Sequence, residues 1–117
     1  MKIALGTVQF GTHYGIANTT GQVKKNEIEN ILKFAKISGI DTIDTAISYN
    51  SSEQYLGEIG VDSFNLITKL PEVPNNYENL RIWITKQIQK SLNFLKVKSL
   101  SGVLLHRPIQ LLDKDKK

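Results

Sequence analysis

Residues 41–57, DTIDTAISYNSSEQYLG, place Asp44 at the end of a strand-like run, then Tyr49, then the opening of a helix. Aspartate is depleted in strands, so its position at the end of GIDTID (39–44) needs a reason. Three more short runs have the same strand character: KIALGT (2–7), FNLITK (64–69) and SGVLLH (101–106). They suit strands buried in a parallel sheet. Between them lie helices. EIENILKFAKI (27–37) carries Ile28, Ile31, Leu32 and Ala35 at helical spacing, with Asn26 as N-cap and Gly39 just past the end. SSEQYLGEI (51–59) reads as a short helix capped by Ser51 or Ser52. Residues 77–97 read as a long helix, with Tyr77, Leu80, Ile84, Ile88, Leu92 and Leu95 in one stripe and Trp83 beside it in the core. The order β-α-β-α-β-α-β is that of right-handed crossovers in a parallel α/β sheet.

The chain has 117 residues, 40% hydrophobic and 22% charged, a balance that predicts one soluble domain. The absence of cysteine excludes disulfides and thiolate chemistry and fits a reducing cytoplasm. MKIALGTVQF is too short in apolar residues for a signal peptide, and no run of about eighteen apolar residues could span a bilayer. The expectation is a cytoplasmic protein with no membrane association. The net charge of +4 owes much to Arg81, Lys86, Lys90, Lys96 and Lys98. These read as a solvated helix face, so no nucleic-acid binding is expected. The charged end DKDKK (113–117) reads as a frayed tail.

The residues ending the four strand runs are Thr7, Asp44, Lys69 and His106. Alternation puts Asp44 on one face with Thr42, Lys69 with Ile67, and His106 with Leu104. If those faces line one interior, the ionisable residues crown its rim, and the carboxyl ends of strands are where parallel α/β proteins bind ligands. An aspartate and a lysine at adjacent strand ends can form an ion pair. Tyr49, five residues beyond Asp44, can join them. A phenol ordinarily titrates near about 10, and a neighbouring ammonium makes it a better proton donor, which is a general-acid arrangement. A histidine nearby can donate a hydrogen bond to a carbonyl oxygen and stabilise charge developing there. Taken singly, each has a structural reading: a loop cap for Asp44, a rim charge for Lys69, loop packing for Tyr49, a core histidine for His106. Their joint placement favours a site.

GIDTIDTAISYNSSEQYLG, ITK and LLHRP, with the opening LGTVQFGTHYGIAN, resemble the amino-terminal half of an aldo-keto reductase over essentially the whole chain. The resemblance implies a catalytic tetrad of Asp44, Tyr49, Lys69 and His106, acting on a small-molecule carbonyl substrate with hydride from NADPH or NADH and no metal. Tyr49 would donate the proton, Lys69 tune it, Asp44 hold Lys69, and His106 orient the carbonyl. Gly6, Thr7 and Asp44 would lie against the cofactor. Asn50 stands where many relatives have glycine, and asparagine tolerates left-handed backbone better than most residues.

The fold implied is a (β/α)8 TIM barrel, of which residues 1–117 supply about the first four β/α units as a single partial domain. A whole barrel takes about 250 residues. The family's pyrophosphate-binding groups come mostly from later strands, and GTVQFGTH has Thr12 where a P-loop needs lysine. The expectation is therefore a truncated or split reductase, inactive alone, that seeks a complementary half-barrel chain or self-associates. Two other readings stay open: a non-catalytic fragment or interaction module, and a barrel aldolase using Lys69 as a Schiff-base nucleophile.

Overall fold

The computed structural model describes residues 2–16, 18–19 and 21–112; the tail read as frayed lies outside them. Four strands, β1 (Ala4–Gly6), β2 (Thr42–Asp44), β3 (Asn65–Leu70) and β4 (Gly102–Leu105), form one all-parallel sheet in the order β1-β2-β3-β4. The connections carry α1 (Val8–Gly11) and α2 (Lys25–Ile37), then α3 (Ser52–Ile59), then α4 (Leu80–Leu95), and a 3-10 turn follows at Pro108–Leu112. The alternating order expected from the sequence is the order observed. No helix among the described residues is long and apolar enough to cross a membrane.

Alternation along each strand divides the sheet into two faces. Ile43, Leu66, Thr68 and Leu70 are buried. Ile28 and Leu32 of α2, Leu56 of α3 and Leu95 of α4 join Ile43 and Leu66 in the main apolar cluster. Each fully buried isoleucine or leucine stabilises the fold by about 1.5–3 kcal/mol. The opposite face carries Thr42, Asp44, Ile67, Lys69 and the half-exposed Leu104. No strand among the described residues covers the outer edge of β1 or of β4.

Helix boundaries follow backbone bonding more closely than the apparent caps. The expected Asn26 cap is displaced: Lys24, in extended backbone, is the N-cap, and its carbonyl accepts from Glu27 and Ile28. Asn26 then falls inside the first turn. At the other end Gly39 has φ +79°, its N–H reaches the Lys36 carbonyl and that of Ile40 the Ala35 carbonyl, the paired bonds of a Schellman motif. The long helix starts at Leu80 rather than near Tyr77, because the Asn79 side chain accepts from the Ile82 amide and caps it there. Trp83, expected in the core, is half-buried against the end of the sheet. Ser51 occupies the N-cap position of α3 without bonding through its side chain, and Ser52 is buried for another purpose described below.

Candidate active site

Strand register alone assembles the rim. Asp44 pairs with Ile67, so Lys69, two residues on, projects from the same face. Lys69 pairs with Leu104, which puts His106 on that face too, one step past β4. The His106 amide extends the ladder by donating to the Leu70 carbonyl at 3.0 Å. Tyr49 arrives from the loop after β2, where Asn50 takes up left-handed backbone at φ +49°.

The four side chains meet. Lys69 Nζ donates to Asp44 Oδ2 at 2.7 Å, to the Thr45 carbonyl at 3.0 Å and to Tyr49 Oη at 3.3 Å. An ammonium has three hydrogens and no acceptor capacity, so these contacts use all of them. Tyr49 Oη is then an acceptor from Lys69, and its own hydrogen is left for another partner. The His106 ring stands edge-on to Tyr49, with centroids 5.8 Å apart and planes at 83°. Tyr49 is half-buried and His106 exposed, so the open side of the phenol faces the imidazole and solvent. The arrangement can hold a phenol against a cation and offer its proton beside a hydrogen-bond donor.

At the end of β1, Gly6 pairs with Asp44, and a Cβ at Gly6 would meet nothing within 4 Å. Space beside the tetrad is therefore open. Thr7 is buried, and its side chain and amide both donate to the Asp44 carbonyl, at 3.0 and 3.1 Å. A concavity at the opposite end of the sheet, beside Asp62, Phe64, Lys96 and Lys98, gathers no comparable acid–base set.

Two polar clusters beneath the rim escaped the reading of the sequence. Thr7, Thr45 and Ser52 bring three buried hydroxyls together. Glu53, 4% exposed, accepts from Thr68 Oγ1 and Ser91 Oγ, each at 3.2 Å. Burial pushes its carboxyl above the usual carboxylate range, against the two hydroxyls and Lys90, which favour the charge. Glu53 could have been flagged, because it falls three and four residues before Leu56 and Gly57 on the apolar face of α3. The hydroxyl cluster joins residues 45 apart, and no local pattern announces it.

The aldo/keto reductase family model matches residues 2–115. No curated protein matches the chain. A Pseudomonas aeruginosa protein described as an aldo-keto reductase has the same fold at TM-score 0.76 and 25% identity, over 95% of this chain and 46% of that one. A Giardia lamblia aldose reductase does so at TM-score 0.61 and 19% identity, over 90% of this chain and 32% of that one. The chain thus spans less than half the length of these relatives, and its four parallel units correspond to the first β/α units of their barrel. With the family match running over nearly every residue, the chain belongs to the aldo/keto reductase family.

Proposed function

We propose that this chain supplies the acid–base half of a nicotinamide-dependent carbonyl reductase. The observation that carries the reading is the contact from Lys69 Nζ to Tyr49 Oη, with the same ammonium held by Asp44. Lys69 donates to the phenol oxygen, so Tyr49 can release its own proton to a carbonyl oxygen while the ammonium stabilises the phenolate left behind. His106 donates a hydrogen bond to the same carbonyl oxygen and aims it at Tyr49. NADPH or NADH, when bound, supplies the hydride that goes to the carbonyl carbon. The product is an alcohol, and the phenolate regains its proton from solvent. Gly6 and Asp44 would lie against the nicotinamide end, where Gly6 leaves the space open, with the buried Thr7 supporting them from behind.

Turnover in this reading needs further β/α units, like those that complete the barrel in the relatives, to grip the rest of the cofactor and close the barrel. An aldolase role for Lys69 is disfavoured, because an ammonium with all three hydrogens engaged has no lone pair for attack on a carbonyl. The test is aldehyde-dependent NADPH oxidation, with the chain alone and with a complementary half-barrel. Tyr49→Phe should lower it by about 10²–10⁴-fold, and undiminished turnover in that variant overturns the assignment. A complex that binds no nucleotide would instead favour a non-catalytic module.

A further inference from the structure

Tyr49 sits on a loop, and its main chain is held by two residues to which the proposed reaction gives no part. Gly11, at the end of α1, packs so closely under this loop that a methyl group there would fall on the Tyr49 carbonyl oxygen and stand 2.8 Å from the Ser52 amide. The same carbonyl accepts from the Ser52 amide at 3.1 Å. The Ser52 side chain, wholly buried, ties this turn to the sheet: its Oγ lies 3.0 Å from Thr7 Oγ1, 3.2 Å from the Thr7 carbonyl and 3.1 Å from Thr45 Oγ1.

Each hydroxyl has one hydrogen to give. Thr7 spends its own on the Asp44 carbonyl at 3.0 Å, so Ser52 must donate to Thr7 and Thr45 to Ser52. The direction is self-consistent, Thr45 to Ser52 to Thr7 to the Asp44 main chain. Lys69 closes the circuit by donating to both the Thr45 carbonyl and the Asp44 carboxylate. The loop carrying the phenol and the strand end carrying its cation are thereby fixed to each other through Ser52.

We infer that Ser52 and Gly11 are positioning residues for Tyr49: the Ser52 hydroxyl locks the start of α3 to the ends of β1 and β2, and Gly11 admits the Tyr49 carbonyl to the depth at which the phenol meets Lys69 and His106. The catalytic meaning of this placement rests on the reductase reading, but the placement itself does not. Ser52→Ala leaves the Thr45 hydroxyl without its acceptor in a dry site, where an unmet polar group is costly, and the turn is free to shift. Gly11→Ala pushes backbone against backbone.

The experiment is aromatic NMR of the chain, following cross-relaxation between the Tyr49 and His106 rings. Val61→Ala, which truncates a buried residue in the connection from α3 to β3, serves as the control for general destabilisation. The wild type and Val61→Ala should show the cross-peaks, and Ser52→Ala and Gly11→Ala should lose them. Cross-peaks that persist in Ser52→Ala, or that vanish equally in Val61→Ala, overturn the inference. If Gly11→Ala does not fold, Ser52→Ala decides alone. No nucleotide or carbonyl is present, so a completed barrel that reduces nothing would sink the reductase reading and leave this result standing.

Discussion

Lys69 Nζ lies 2.7 Å from Asp44 Oδ2, with side-chain exposures of 16% and 34%, so the pair is neither dry nor fully solvated. A surface pair is worth at most about 1 kcal/mol and breaking a buried one costs about 3–5 kcal/mol. Lys69→Met should fall between, destabilising the chain by about 1–2 kcal/mol in urea unfolding. Tyr49 loses its cationic neighbour in the same variant, so turnover in a completed barrel should drop further than stability does.

Tyr49→Phe separates chemistry from folding. The ring keeps its edge contact with His106, and Lys69 keeps Asp44 and the Thr45 carbonyl. Stability should change by less than about 1 kcal/mol, the worth of a single partly exposed hydrogen bond. Loss of the proton donor should lower kcat by about 10²–10⁴, with KM little altered. Denaturation and steady-state kinetics on the same preparation check both halves.

How much of this could be read in advance follows a physical line. Strand order and the shared face of Asp44, Lys69 and His106 come from alternation and from short connections, both local properties of the chain. The resemblance in SYNSSEQYLG and LLHRP supplied the roles. The exact helix starts did not follow, because Asn26 and Asn79 are equally good caps by type, and only backbone geometry gives one of them the bond. Nor did the Thr7, Thr45 and Ser52 cluster, which depends on three hydroxyls converging from separate elements. Thr7 looked like a rim residue because it ends its strand run, whereas its side chain turns into this cluster.

Glu53 gives the chain a pH dependence whose sign is fixed. Burial raises its folded-state pKa above the ordinary value of 4.5, so the folded state binds the proton more tightly than the unfolded state. The stability linked to Glu53 is therefore fully present below that ordinary value. It declines as pH rises toward the raised folded-state value and is level beyond it. In Glu53→Gln this decline should disappear. The amide can accept from one of Ser91 and Thr68 and donate to the other, since a hydroxyl does either. The variant should match the wild type in acid and gain on it toward neutrality. Unfolding midpoints compared from acidic to neutral pH decide it, and an unchanged slope would remove Glu53 as the source.

Gly57 marks the place where α3 and α4 cross. A methyl group there would fall on the Phe94 carbonyl oxygen and stand 2.8 Å from its carbonyl carbon. These are backbone atoms that no rotamer change can move. Alanine is favoured over glycine inside a helix by about 1 kcal/mol, but forcing these helices apart unpacks Leu56 and Leu95, both buried. Overpacking of this kind costs about 1–3 kcal/mol or more, so Gly57→Ala should be a net loss despite the better helix former. Gly39→Ala is the comparison. Its Cβ would meet nothing within 4 Å, and only the backbone at φ +79° opposes it, at about 1–2 kcal/mol. Since Gly57→Ala separates packed helices while Gly39→Ala strains one exposed turn, the two should also differ in m-value. A lower m-value for Gly57→Ala alone would locate the damage at the α3–α4 crossing.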